Sequence, residues 1–250
     1  MTNITRYKHH YEDIVYQKVT DHYGITDLEY GRMLVNTNDP AMGVILQESI
    51  GEIKELQQFA TGIVIDVGAN VGSHSICFSK TADTVYAFEP HPITFENLCA
   101  NLLINMSSNV IPMNYALVSY NGDTMFYDFD ITTKHYSMGA YAGNGTLRLP
   151  MRTIDSFAFS PVMFIKMDIE GGEFEALKGA NYTLQRESPI VYVEIHKPEL
   201  IPLIDEFMET RGYITLEFIS YYTTDEKTKE DVALTCGKIY YKEGRVVWAS

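Results

Sequence analysis

Apolar residues in this chain come in short runs, and from residue 63 onward two kinds of run alternate. Ile63-Val64-Ile65-Asp66-Val67 is rich in β-branched residues, the texture of a strand buried on both faces of a parallel sheet. A helix is predicted next, through Ser75, Ile76 and Phe78, and then a second strand over 84–89. Residues 95–105 place Phe95, Leu98, Leu102 and Leu103 on one side of a helix, and 110–118 read as a third strand region. A fourth strand is expected over 161–168, a helix over 174–184, a fifth strand over 189–195 and a helix over 200–211 that Gly212 ends. Two late strands, near 213–220 and 233–241, close the chain as an antiparallel pair. Strand–helix alternation repeated in this way predicts a doubly wound, Rossmann-like α/β fold.

The flanks read differently. Residues 1–60 are expected to form an N-terminal helical appendage, and 61–250 the main domain. Asn38-Asp39-Pro40 is a turn signal, and Val44, Ile45, Ile50, Ile53, Leu56 and Phe59 recur after it at near-helical spacing. The stretch 123–150 is rich in Gly, Tyr and Thr and reads as a β-ribbon or a long loop covering a substrate. Its tyrosines, with His135 and Ser137, suit packing on a sugar ring, or are half-buried strand residues.

Ligands of doubly wound sheets bind at the carboxyl ends of the strands, near the topological switch point. That rule lines up Asp66–Gly72, Glu89, Asn114, Ala116, Asp168–Gly171, Glu194 and His196 along one edge. Each segment turns polar or glycine-rich where an apolar strand stops. Asp66-Val67-Gly68-Ala69-Asn70-Val71-Gly72 joins a strand to a helix, and its glycines let backbone N–H groups approach a ligand. Glu89 ends the next strand, where a carboxylate can accept two hydrogen bonds from a ribose diol. The loop departs from G-x-G-x-x-G, the dinucleotide pattern, so a cofactor without phosphates fits it better: one with a carboxylate at the helix end and an ammonium near Asp66. That describes S-adenosylmethionine. A nicotinamide-dependent oxidoreductase, or a non-catalytic S-adenosylmethionine-binding protein, are the alternatives.

Together these residues carry a resemblance. Ile65–Gly72, Phe88-Glu89-Pro90-His91-Pro92, Phe164-Ile165-Lys166-Met167-Asp168-Ile169-Glu170-Gly171-Gly172-Glu173, Leu177-Lys178-Gly179-Ala180 and Pro189-Ile190-Val191-Tyr192-Val193-Glu194-Ile195 resemble the FkbM-type methyltransferases. This family is a branch of the class I S-adenosylmethionine-dependent enzymes. The resemblance covers roughly residues 60–196. It implies about seven strands, mostly parallel, with one antiparallel strand near the C-terminus. It also implies O-methylation of a sugar, polysaccharide or natural-product hydroxyl. By the same likeness Asp66, Gly68, Asn70 and Gly72 hold the methionine part of the cofactor, Glu89 the ribose, and Asn114 and Ala116 lie beside the adenine.

Methyl transfer to a hydroxyl also needs a proton acceptor, and Asp168, Glu170, Glu194 and His196 are the candidates. A base role suits His196, whose ordinary pKa is near neutrality. Glu173 is equally well explained as an acid in a helix's first turn. Asp168, Glu194 and His196 could instead bind a divalent cation such as Mg²⁺, Mn²⁺ or Fe²⁺. Lys166 is expected to make a structural ion pair with Glu170 or Glu194.

Composition narrows the partners. The chain's 33 acidic and 19 basic residues give a net charge of −14, which repels phosphate backbones and anionic lipid. Nucleic acid and membrane are therefore not expected as partners; the acceptor is a small molecule or glycan. Three cysteines without paired spacing fit a reducing compartment, and no apolar run is long enough for a membrane helix, so a cytoplasmic location is expected. Hydrophobic residues make up 46% of the 250, enough for a sizeable core.

Overall fold

The computed structural model describes residues 5–8, 17–36, 50–126, 147–224 and 231–244. Its centre is the alternation expected from the pattern. β5 (Ile63–Val67), α2 (Ser73–Phe78), β6 (Thr84–Phe88), α3 (Pro92–Ile104) and β7 (Val110–Met113) run to one side. β11 (Val162–Met167), α4 (Glu173–Lys178), α5 (Asn181–Arg186), β12 (Ile190–Ile195) and α6 (Ile201–Glu209) run to the other. β13 (Ile214–Thr224) and β14 (Asp231–Tyr241) complete the sheet. A two-turn helix, α1 (Ile50–Gln57), precedes β5, and β1 (Thr5–Lys8) adds an eighth strand beside β13.

The strand order is β1-β13-β14-β12-β11-β5-β6-β7. β14 is antiparallel to both neighbours, while the other pairings are parallel. The antiparallel strand is thus wedged between β13 and β12. The chain leaves β5 toward β6 and later returns to β11 on β5's other side, which puts the switch point between β5 and β11.

Each inner strand presents both faces to apolar layers. Val64 and Phe164 join Ile53, Leu56, Phe78 and Leu98 under α1, α2 and α3. Ile65, Ile165 and Val191 join Leu177, Leu184, Ile204 and Met208 under α4, α5 and α6. These residues are fully buried. Polar Asp66, Lys166 and Tyr192 form one cross-strand row in this otherwise apolar sheet, because Lys166 is in register with both of the others. They share a face with Val64 and Phe164, since alternate residues point the same way.

Three expectations are corrected here. The helical appendage over 1–60 is mostly strand where it is described. β2 (Gln17–Lys18), β3 (Tyr23–Leu28) and β4 (Gly31–Asn36) form a separate antiparallel sheet, and among the described residues of this stretch only α1 is helical. Alternation decides it: Gly24 and Thr26 are less exposed than their β3 neighbours, and Met33 and Val35 of β4 are buried in the core below α3. Leu34 N–H donates to Asn101 Oδ1 at 2.7 Å, which fixes that sheet to α3. Residues 37–49, with the Asn38-Asp39-Pro40 turn, lie outside the described residues.

The third strand region stops at Met113. Asn114 turns its amide to the carbonyls of Glu89 and Pro90, both at 2.9 Å, and β8 (Ala116–Leu117) then enters another small sheet, with β10 (Leu147–Arg152) and β9 (Gly122–Phe126). The helix expected over 174–184 is two helices. Gly179 lies between them, and a side chain there would meet the Val118 carbonyl at 2.0 Å. β9 and β10 pair antiparallel, while 127–146, with His135 and Ser137, lie outside the described residues.

Candidate active site

The tip of β5 is held in shape by backbone conformations that few residue types adopt. Gly68 and Gly72 have φ of 80° and 99°, and Asn70 lies in the left-handed region at 51°, which asparagine tolerates better than most residues. Gly68 is doubly constrained, because a Cβ there would sit 1.9 Å from the Asp168 carbonyl oxygen. The turn and the tip of β11 therefore touch through backbone.

Glu89 closes the turn from the side. Its Oε2 accepts from Asn70 N–H at 3.0 Å and its Oε1 from His91 N–H at 2.9 Å. Burial pushes its carboxyl up to about 7, against the pull of those two N–H donors. Each oxygen retains a lone pair. Asn114 spends its amide on the Glu89 and Pro90 carbonyls and so braces the acid's backbone. Ala116 packs with Leu149 and Met151 in the core of the β8–β10–β9 sheet.

Beneath the turn lies a buried charge cluster. Asp66, fully buried, accepts from Ser75 Oγ at 2.5 Å, and its other oxygen lies 3.5 Å from Lys166 Nζ. Lys166 also donates to the Gly68 carbonyl at 3.2 Å and to Asp168 Oδ2 at 3.4 Å. Its burial works against the charge, but Asp168 and Asp66 more than restore it and keep the amine protonated. The expected partners, Glu170 and Glu194, are replaced by Asp66 and Asp168, because strand register brings up a residue one hundred positions away. Asp168 in turn is held below the ordinary carboxylate range: burial opposes this, and Lys166 and then His196 outweigh it.

Four carboxylates surround His196 at the tips of β11 and β12. Its Nε2 faces Glu170 Oε2 and Glu194 Oε1 at 3.6 Å each and Asp168 Oδ1 at 3.9 Å, while Nδ1 faces Glu173 Oε1 at 3.9 Å. Burial disfavours a charged ring, but Glu173, Asp168, Glu194 and Glu170 push its pKa up to about 10. With no ion among these acids the ring is thus held as the cation of the cluster at neutral pH. Burial, and then neighbouring acids, push Glu194 far above the usual range. Burial raises Glu170 as well.

Glu170 is held at φ 55° and Gly171 at 102°, so the chain doubles back after Asp168. Glu173 is fully buried and its Oε1 accepts from Gly171 N–H at 2.8 Å. It is more than a first-turn acid: it closes the turn that carries Glu170 and faces the imidazole. The signal available in the sequence was Gly171-Gly172 just before it, a turn whose N–H groups need an acceptor. Glu52 of α1 and His74 of α2 add a second buried polar pair, 3.7 Å apart, on the same face of the sheet. Nothing in their spacing marks them as partners.

A glycine turn braced by an acid lies beside an acidic cluster at the tips of the neighbouring strands, along the carboxyl edge of a Rossmann-like sheet. The residues 66–215 match the methyltransferase FkbM domain, and the chain belongs to that family. It is 35% identical over 136 residues to "Hexuronic acid methyltransferase AglP" of Haloferax volcanii, a match that covers 54% of this chain and 56% of that protein. The chain thus spans little more than half the length of this relative. Among solved structures, methyltransferase FkbM from Methylobacillus flagellatus KT superposes with a TM-score of 0.51 at 20% identity, covering 73% of this chain and 44% of the other. TYW2 of M. jannaschii, solved in complex with AdoMet, superposes with a TM-score of 0.53 at 16% identity, covering 92% and 90%. At these identities the superpositions show the shared fold. No helix among the described residues is long and apolar enough to cross a membrane.

Proposed function

We propose that the chain transfers a methyl group from S-adenosylmethionine to an oxygen of a sugar acid or related glycan. The observation that carries the cofactor half is the joining of Asn70 N–H to Glu89 at 3.0 Å, which sets a buried carboxylate beside a left-handed glycine turn. The two glycines hold the turn's left-handed shape against the Asp168 carbonyl and Leu98, and Glu89 keeps one lone pair on each oxygen for a ribose diol. Asp66 Oδ1 makes no hydrogen bond among the described residues but faces Lys166 Nζ at 3.5 Å, so its charge is balanced from within the sheet. The bound sulfonium supplies an electrophilic methyl.

The acceptor half would lie over Asp168, Glu170 and Glu194. These residues orient the acceptor, and much of the acceleration comes from that alignment. As the acceptor's oxygen bonds to the methyl carbon, the carbon–sulfur bond breaks and its electron pair stays on sulfur. A hydroxyl acceptor then releases one proton. Glu170 takes it, because burial makes its carboxylate a stronger base than an ordinary glutamate. Asp168, held ionised by Lys166 and His196, is the poorer base and the better anchor. The relative's hexuronic acid, a sugar carrying a carboxylate, is the acceptor class to try first.

The test is incubation of the chain with methyl-labelled S-adenosylmethionine and a panel of uronic acids, neutral sugars and glycosides, read by mass spectrometry. A labelled methyl on a sugar oxygen supports the reading. Cofactor binding without turnover on any acceptor supports a non-catalytic binding protein instead. Heat from NADH but none from S-adenosylhomocysteine would restore the oxidoreductase alternative.

A further inference from the structure

We propose that Asp168, Glu194 and His196 form a divalent-cation site that holds the acceptor's oxygen beside the cofactor turn. The role assigned to the cation rests on the methyl-transfer reading, but the site itself does not. Each of the three residues offers one ligand atom, and these atoms all lie within 4.8 Å of one another. They come from the tips of two adjacent parallel strands, so rigid sheet geometry sets their spacing.

The distances separate this from an ordinary ion-pair cluster. A charged donor and a carboxylate normally close to about 2.7–2.9 Å. No carboxylate around His196 comes nearer than 3.6 Å, although four of them face it. Ligands sharing one ion stand about 3 Å apart when metal–oxygen bonds are about 2.1 Å, so Asp168 and Glu194 need to close on His196 Nε2 by less than about one ångström from 3.9 and 3.6 Å.

A second observation comes from the far side of the ring. Metal-ligating histidines usually turn their other nitrogen to a carboxylate, which fixes the ring's orientation. His196 Nδ1 faces Glu173 Oε1, an oxygen anchored by Gly171 N–H. Glu173 is fully buried, and its Oε2 has no hydrogen-bond partner among the described residues. A buried acid behind the ring and two acids in front make the arrangement of a ligand and its orienter. An ion taken up here displaces the protons that the crowded acids otherwise favour on His196 and Glu194, and two carboxylates and a neutral imidazole suit a hard or borderline cation such as Mg²⁺, Mn²⁺ or Fe²⁺.

Lys166 connects this site to the cofactor turn, since the same ammonium reaches the Gly68 carbonyl and Asp168. A cation held by three protein ligands keeps open positions for an acceptor. It would lower the pKa of a bound hydroxyl, and it would offset the repulsion between this acidic cluster and an anionic sugar. Glu170, outside the ligand set and 3.6 Å from His196 Nε2, stays free to take the proton.

The experiment is Mn²⁺ titration of the full chain, followed by the electron paramagnetic resonance signal of free Mn²⁺, with S-adenosylhomocysteine binding measured in parallel by calorimetry. The expected result is a single bound ion, with affinity unchanged in the exposed-surface control Asp21→Asn. Ligand loss in Glu194→Gln should weaken it by more than the tenfold or so expected for the orienting variant Glu173→Gln. Circular dichroism checks that each variant folds, and the wild-type titration stands on its own if one does not. Absence of Mn²⁺ binding to the folded wild type overturns the site, and undiminished binding in both variants overturns its location. S-adenosylhomocysteine binding without Mn²⁺ overturns the cation site alone, whereas Mn²⁺ binding without S-adenosylhomocysteine overturns the methyl-transfer reading and leaves the cation site standing.

Discussion

The two ends of the site are built to different tolerances. At the tips of β5 and β6 the polar groups are joined at hydrogen-bond distance: Asn70 to Glu89 at 3.0 Å, His91 to Glu89 at 2.9 Å and Ser75 to Asp66 at 2.5 Å. At the tips of β11 and β12 the groups around His196 stand 3.6–3.9 Å apart. The first region is organised before any ligand arrives. The second has charges gathered but not closed, and it waits for something to sit among them. Such a division suits an enzyme that always takes one donor and positions an acceptor each turn, since pre-set geometry removes ordering cost on the side that never varies.

The largest effect should come from removing the acid that joins the first region. Under the proposed function, Glu89→Ala removes both hydrogen bonds to the ribose and the bond that Asn70 N–H donates to Glu89. Hydrogen bonds to a charged group are worth about 1.5–3 kcal/mol each, so S-adenosylhomocysteine affinity should fall by about two orders of magnitude or more. Calorimetry reads it directly. Retained affinity would erase the contrast between the two regions.

Lys166 is the only cation described that touches both regions, and its loss should be felt in stability. Lys166→Ala leaves the fully buried Asp66 without its countercharge, which costs about 3–5 kcal/mol. Chemical denaturation should show this loss, while a surface pair such as Lys18–Asp21, mostly exposed, should cost under about 1 kcal/mol. If Lys166→Ala is as stable as the wild type, the two halves are not coupled through it.

Next in size is the second region's chemistry. Glu170→Gln keeps the shape of the turn but removes the proton acceptor, and turnover on a hydroxyl acceptor should fall by about a hundredfold. Affinity for S-adenosylhomocysteine should stay within about twofold, because Glu170 is not among the groups at the β5 and β6 tips. An acceptor that reacts through a carboxylate has no proton to lose and should be nearly indifferent to the substitution. Loss of cofactor affinity in this variant would show that the two regions are one.

How legible each region was follows from the same contrast. The cofactor end is written in contiguous residues, because a tight turn needs Gly68, Asn70 and Gly72 at fixed offsets, and Glu89 must end the very next strand. The acceptor end is assembled from separate segments. Asp168, Glu170, Glu194 and His196 could be named because they follow apolar runs. Their mutual distances, and so the protonation of His196, could not be named, because those depend on the register of β11 with β12. Lys166 shows the same limit: its partner Asp66 lies across the sheet, and no local spacing points to it. The strands at 17–36 escaped because their tyrosines carry no usable period, and α3, which covers them, supplies their burial. Gly179 was legible only in hindsight, since its constraint is the carbonyl of Val118.

The smallest effect is a pH dependence that separates the regions without mutation. Burial raises Glu89 from 4.5 to about 7, so between those values the folded chain holds a proton that the unfolded chain has lost. A raised carboxyl contributes stability below its unfolded pKa and loses it as pH climbs through the folded one, so Glu89 alone makes the unliganded protein less stable on going from about pH 5 to pH 8. Ribose hydroxyls donate to the ionised acid, and their binding pulls in the opposite direction. Affinity for S-adenosylhomocysteine should therefore improve by up to about tenfold per pH unit below pH 7 and level off above it. Glu89→Gln, which is neutral throughout, should bind more weakly and show a flat profile over the same range. A slope that survives in Glu89→Gln would mean that the titrating group lies among the β11 and β12 acids, and that the cofactor end is less independent of the acceptor end than its closed hydrogen bonds indicate.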